Sequence, residues 1–214
     1  MKGVLITFEG IEGSGKSTQA RLLVETLRAQ GHEVLAVREP GGSAIAEKIR
    51  ALLLDPVNTA MTPIAELLLY EAARAQLVAE IIRPALDRGA IVVCDRFYDS
   101  TTAYQGVGRG LVNVDFTTLN RLATGGIVPD LTVLLDVPVD TGLRRAKGDT
   151  AGDRIEREPA EFHNRVRKGF QTIAAAEHDR VCLLDGLRPL GELAAEIVAL
   201  AAEAIEIRRH PGAR

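Results

Sequence analysis

The sequence predicts an α/β fold, a five-stranded parallel sheet flanked by helices. Two observations carry the prediction. Five short runs rich in Val, Ile and Leu alternate with longer stretches of helical period. None of those runs alternates apolar with polar residues, as expected for strands covered on both faces. A third observation fixes where the sheet works. Gly10-Ile11-Glu12-Gly13-Ser14-Gly15-Lys16-Ser17 lies between the first strand and the first helix and fits G-x-x-x-x-G-K-[ST].

The elements follow in order. Val4–Phe8 is the first strand and Glu33–Val37 the second, entered through Gln30-Gly31-His32. Ala90–Cys94 follows the helix-stop pair Arg88-Gly89, and Leu131–Leu135 follows Pro129-Asp130. Val181–Leu184 is the fifth. Helical pattern covers about Gly15–Ala29, Ala44–Leu54, Pro63–Asp87, Val114–Thr124, Val139–Lys147, Pro159–Glu177 and Leu190–Glu206. The charged, glycine-broken stretch Arg144–Glu158 reads either as a solvated loop or as a mobile flap carrying cations to an anionic site. With 214 residues, one domain spanning 1–207 with a flap over 144–158 is expected, followed by a polar tail, 208–214.

Composition removes several function classes. Net charge is −3, so no global basic field exists to hold nucleic acid, and any anion site must be local. No run of about 18 apolar residues predicts a membrane span, and the N-terminus reads as a strand instead of a signal peptide. Cys94 and Cys182 are too few for a disulfide framework and read as buried free thiols in the cytosol.

The glycines of the 10–17 loop let it wrap phosphate oxygens with inward-pointing N–H groups, and the helix that follows adds its positive N-terminal end. Lys16 can neutralise β- and γ-phosphate oxygens, and the Ser17 hydroxyl can ligate Mg²⁺. Asp95 ends the third strand, where a carboxylate can hold Mg²⁺ through water; a helix cap or a salt bridge to Arg96 is the competing reading, and the 10–17 loop in the same sheet favours the metal role. Candidates for an acceptor pocket are Glu39 with Pro40-Gly41-Gly42, then Arg96, Thr101, Tyr104 and Gln105. Tyr70 and Arg74 are four apart on one predicted helix, so a ring and a guanidinium share a face and could stack on and hydrogen-bond a base. An ordinary amphipathic surface is the competing reading. The guanine-reading Asn-Lys-x-Asp of GTPase switches is absent. None of the four histidines, His32, His163, His178 and His210, is expected in catalysis.

Phe8–Thr18 (FEGIEGSGKST), Arg38–Gly42 (REPGG), Tyr70–Leu77 (YEAARAQL), Asp95–Gly106 (DRFYDSTTAYQG) and Asp153–Glu156 (DRIE) together resemble the bacterial thymidylate kinases across nearly the whole chain. The resemblance implies the P-loop nucleoside-monophosphate-kinase fold with a small lid, the reaction ATP + dTMP to ADP + dTDP, a Mg²⁺ requirement and a homodimer. It implies that Tyr70 stacks on thymine, Arg74 hydrogen-bonds a thymine carbonyl, and Thr101 and Gln105 contact the base edge. It places Tyr104 under the sugar, Arg96 and Arg50 on the dTMP phosphate, Glu39 at the acceptor and metal side, and Glu12 at the 3′-hydroxyl or a metal-bound water. Gly10 to Thr18 and, weakly, Arg145 would contact ATP. The loop positions Ile11, Glu12, Gly13 and Ser14 carry no arginine, so the resemblance is to the type that delivers a cation from the lid. Arg154 is the main candidate, with Lys147 and Arg157 behind it; Gly148 and Asp149 stand where comparable lids carry more arginine. Two other readings remain open: a different nucleotide or deoxynucleoside kinase, and a non-catalytic ATP-dependent switch.

Overall fold

The computed structural model describes residues 2–146 and 152–210. Five parallel strands form one sheet in the order β2-β3-β1-β4-β5: β1 (Val4–Glu9), β2 (Val34–Arg38), β3 (Ile91–Asp95), β4 (Leu131–Asp136) and β5 (Val181–Asp185). Alternate strand residues feed two cores, as the pleat demands. Val4, Ile6 and Phe8 meet α1 (Lys16–Ala29) and α9 (Leu190–Arg209) on one face. Leu5, Val92 and Cys94 meet α3 (Pro63–Leu77) and α4 (Arg83–Asp87) on the other. There, a second cluster packs Ile11, Tyr104 and Leu134 under α8 (Ala160–Ala176).

Apart from the terminal Asp95 and Asp136 the central strands are buried, but the two edge strands depart from the expected two-sided cover. Ala36 on β2 and Leu183 on β5 are exposed, because an edge strand lacks a neighbour and its flanking helix covers only part of it. Cys94 is buried as expected, whereas Cys182, on the β5 edge, is only half-buried; both are free thiols. The α9 helix runs to Arg209, past the expected start of the tail, where Arg208 pairs with Asp130.

Two π-helical turns mark where local sequence and fold conflict. The stretch read as one helix, Pro63–Asp87, is α3, a π turn over Val78–Ile82 and α4. Pro84 cannot donate to the preceding turn, and the widened turn accommodates its ring. A second π turn, Thr102–Gly108, continues the short α5 (Tyr98–Thr101). No helix is expected there from Tyr98-Asp99-Ser100-Thr101-Thr102, a run of poor helix formers before two glycines. Packing overrides propensity: a Cβ on Gly108 would lie 2.8 Å from Phe162, and one on Gly169 would lie 3.1 Å from Val107. These small residues bring α8 close against the π turn and set Phe162 and Phe170 beside Tyr104, with His163 edge-on to Phe162. The remaining helices are α2 (Ala44–Leu54), α6 (Phe116–Thr124) and α7 (Val139–Ala146).

Candidate active site

Parallel pairing aligns three strand ends. Phe8 and Arg38 both lie opposite Asp95, so the chain leaving β1, β2 and β3 enters one crevice at the carboxyl edge of the sheet. The 10–17 loop leaves β1 there. Gly13 has φ 68° and a Cβ on it would fall 2.0 Å from the Gly142 carbonyl oxygen, so the loop lies directly on α7. Only glycine meets both demands. Lys16 opens α1, buried, with Nζ donating to the Ile11 carbonyl at 2.7 Å. Burial, with the Arg96 charge behind it, pulls its ammonium down to about 8 despite Asp95, Glu12 and Glu9. The Ser17 hydroxyl donates to the Asp95 carboxylate. That hydroxyl–carboxylate pair fits an ion held chiefly by phosphate and water oxygens; among the described residues no group of three or more His, Cys, Asp or Glu could hold a metal alone. Thr18 follows, exposed on α1.

Arg96 is the only non-glycine residue with positive φ among the described residues, at 71°. Such a backbone costs on the order of 1–3 kcal/mol and persists where surroundings over-determine it. Here the fastening is Glu9, whose buried carboxyl accepts from the Phe97 N–H at 2.7 Å, the Ser100 N–H at 3.3 Å and the Ser100 hydroxyl at 2.5 Å. The strained turn aims Arg96 back over the loop. It donates to the Gly10 carbonyl at 3.0 Å, Ser100 at 3.1 Å, Glu12 at 3.1 Å and the Tyr104 hydroxyl at 3.2 Å.

Glu9 yields a pH prediction. Burial and then Asp99 raise its carboxyl from 4.5 to about 8, against Ser100, Arg96 and Phe97. The folded state therefore favours the neutral acid. That contribution is complete below about 4.5 and is lost as pH rises through the folded value. Glu9→Gln has no proton to lose, so its melting temperature gains on the native chain by several degrees between pH 5 and pH 8. Parallel melting curves across that range would refute the assignment.

The acceptor-side candidates converge on the same crevice, a cleft of about 400 Å³ whose walls include Lys16, Glu39, Arg50, Tyr70, Arg74 and Arg96. Arg74 is fully buried. Its Nε donates to Glu39 at 2.8 Å, Nη1 to Glu71 at 2.9 Å, and Nη2 to the Phe97 carbonyl at 3.3 Å and Thr101 at 2.8 Å. Of five guanidinium N–H groups, four are used, leaving one Nη1–H for the cleft it lines. Burial raises Glu39 to about 7 against the pull of Arg74. Thr101, Tyr104 and Gln105 also line the cleft, and Arg50 donates to the Pro40 carbonyl at 2.8 Å. The Tyr104 hydroxyl donates to Glu12 at 2.7 Å. Burial drives the Glu12 carboxyl upward, yet His163, Arg96, Lys16 and Tyr104 outweigh it and hold Glu12 well below the usual carboxylate range.

The lid candidates do not join this group. Arg154 is buried, with Nε donating to the Leu53 carbonyl at 2.8 Å and Nη1 to Glu66 at 2.5 Å; Gln105 and Arg109 converge on the same carboxylate. Arg154 and Arg157 line a separate hollow with Arg109 and Glu158. A carboxylate as buried as Glu66 requires cationic partners, and it engages Arg154 away from Lys16. Lys147 lies outside the described residues. From the same segment Asp153, Ile155 and Glu156 line the main cleft instead. Arg145 is exposed on α7 and donates to the Gly186 carbonyl at 3.3 Å, beside the loop's Ser14. Arg38, Ser100 and Glu9 carry no role legible in the sequence, although each sits within or beside a quoted motif. His163 is not expected in catalysis, yet the fold buries that ring with Nδ1 3.4 Å from Glu12.

The thymidylate kinase family model matches residues 8–197. The chain belongs to the thymidylate kinase family. It is 55% identical over 203 residues to a thymidylate kinase of Citrifermentans bemidjiense, covering 91% of this chain and 90% of that one. It is 51% identical over 209 residues to one from Pseudomonas fluorescens, covering 98% and 100%. The crystal structure of thymidylate kinase from Ehrlichia chaffeensis superposes with a TM-score of 0.73 at 33% identity, covering 94% of this chain and 99% of that one. Membership makes the chain a nucleoside-monophosphate kinase on the P-loop fold.

Proposed function

We propose that the protein phosphorylates dTMP to dTDP with ATP. The observation that carries the reading is the single cleft shared by Lys16 and by Tyr70, Arg74, Thr101, Tyr104 and Gln105. Lys16 and the 10–17 loop take the triphosphate, with Thr18 and Arg145 on the donor side. Tyr70 stacks on the base, the remaining Arg74 N–H meets its carbonyl, and Thr101 and Gln105 border its edge. Tyr104, wedged between Phe162 and Phe170, leaves no room for a 2′-hydroxyl. Arg96 and Arg50 hold the acceptor phosphate, Glu39 braces Arg74, and Glu12 accepts from the 3′-hydroxyl. Acceptor phosphate oxygens are ionised near neutral pH, so no strong base is required; positioning and charge neutralisation do the work. Ser17 and Asp95 would hold Mg²⁺, which when bound neutralises charge on the donor phosphates.

The test is ADP release with ATP against dTMP, dUMP, dCMP, AMP and thymidine. Selective release with dTMP is expected. Release with thymidine but not dTMP would move the acceptor from a phosphate to a hydroxyl. ATP binding without acceptor-dependent release would make the chain a switch.

Arg154 belongs to the same proposal as the cation delivered to the transferring phosphoryl group, a role that requires it to exchange its Glu66 partner for phosphate when the nucleotides bind. Arg154→Ala is expected to lower turnover about a hundredfold while dTMP affinity holds. Unchanged turnover with a lowered melting temperature would leave it a structural partner of Glu66 only. Among the described residues no helix is long and apolar enough to cross a membrane, and a cytoplasmic setting is part of this reading. So is a homodimer. Ile64 and Leu68 on α3 and Leu122 on α6 are exposed apolar side chains on adjacent helices that a second copy would cover, and light scattering distinguishes one chain from two.

A further inference from the structure

His163 is fully buried, and neither of its ring nitrogens has a hydrogen-bond partner among the described residues. Buried polar atoms left without partners are rare and costly, so such a group calls for a physical explanation. The nearest charged atom is Glu12 Oε2, 3.4 Å from Nδ1, and that oxygen is itself buried without a hydrogen-bond partner. The other carboxylate oxygen, Oε1, is taken by Arg96 at 3.1 Å and Tyr104 at 2.7 Å. One oxygen of Glu12 is thus fixed by Arg96 and Tyr104, and the other faces an imidazole supplied by α8. Phe162 stands edge-on to that ring, centroids 5.4 Å apart, and limits its rotation. The α8 helix begins directly after the stretch that carries Asp153, Ile155 and Glu156 in the cleft wall.

We propose that His163 is a positioning residue: its Nδ1–H holds Glu12 Oε2 and so sets the plane of the carboxylate that meets the acceptor sugar. The device ties α8, and through it the cleft wall, to the 10–17 loop. An unpartnered imidazole and a half-satisfied carboxylate 3.4 Å apart tighten when the sugar hydroxyl adds its own donor and the carboxylate settles in one plane. The inference rests on the dTMP-kinase reading for the nature of the acceptor, but the coupling of His163 to Glu12 does not.

The experiment is a double-substitution cycle with His163→Phe and Glu12→Gln, read as kcat/KM for dTMP and for 3′-deoxy-dTMP. His163→Phe is expected to lower kcat/KM for dTMP about tenfold, the weight of one hydrogen bond to a charged group. It should have little further effect in the Glu12→Gln background. Additive losses would overturn the proposal. His163→Asn, whose side-chain amide nitrogen falls where Nδ1 stands, is expected to retain most activity, whereas His163→Gln, whose nitrogen mimics Nε2, is not. This Asn and Gln pair decides the matter should the Phe variant fail to fold; equal losses in both would count against it. The 3′-deoxy acceptor separates the sugar-hydroxyl role of Glu12 from its coupling to His163. If Glu12→Gln impairs both acceptors alike, the sugar-hydroxyl role of Glu12 falls, while coupling in the cycle still establishes that His163 acts through it.

Discussion

Lys16→Ala is expected to lower turnover about a thousandfold with ATP and dTMP saturating, because a full charge beside a transferring phosphoryl group is worth that much or more. The same change should leave thermal stability unaltered or slightly raised. The ammonium is buried, and burial together with Arg96 pulls it down to about 8, so the folded chain holds this charge against its own preference. A lysine kept for the fold would show the opposite balance. Its one short bond, to the Ile11 carbonyl, ties it to its own loop and contributes little that the loop's glycines do not already secure. Single-turnover ADP release alongside a melting curve checks both halves. A loss under tenfold would remove Lys16 from the chemistry, and a large fall in melting temperature would make its role structural.

Arg74→Ala is expected to produce the largest loss of stability of any single substitution in the cleft, about 3–5 kcal/mol, because it strands two buried carboxylates. Glu39 and Glu71 both bond this one guanidinium, and all three side chains are at least nine-tenths buried. The loss should appear as a drop of roughly 10 °C in melting temperature, checked by urea unfolding at 25 °C. Adding Glu39→Gln to Arg74→Ala should recover part of it, since one of the stranded charges is then gone. A loss below about 1 kcal/mol would mean that the cleft rehydrates around the carboxylates. Affinity for dTMP should fall in parallel, because the same guanidinium holds Thr101 and presents its last N–H to the cleft. Stability and recognition share one residue here, so substitutions at Arg74 cannot separate them, whereas Lys16 separates them cleanly.

The parts of this protein legible in the sequence are those fixed by short-range rules. Strand and helix identity follow from apolar period, and the phosphate loop follows from glycines at fixed offsets between a strand and a helix. The quoted motifs also brought Tyr70, Arg74, Thr101, Tyr104 and Gln105 into one list, and the fold brings them into one cleft. Less legible was any contact made across the sheet. Tyr98–Gly108 carries no helical signal of its own and is helical because Gly108 and Gly169 let α8 press against it. Arg154 reads as a free lid cation in a charged run, yet Glu66, 88 positions away, claims it. Glu9 looks like one more polar residue at a strand end until the strained Arg96 turn folds over it.

By itself, then, the sequence determined the five-stranded α/β plan, the 10–17 loop between strand and helix, and the grouping of Tyr70, Arg74, Thr101, Tyr104 and Gln105 that the fold gathers in one cleft, because each is encoded in residues near one another in the chain or in motifs of fixed spacing. Only the tertiary structure decided which charges face one another: Arg74 on Glu39 and Glu71, Arg154 on Glu66, His163 on Glu12. The physical reason is that a buried charge is tolerable only beside its partner, and the partner is chosen by the packing of distant elements, a relation that no local pattern of residues records.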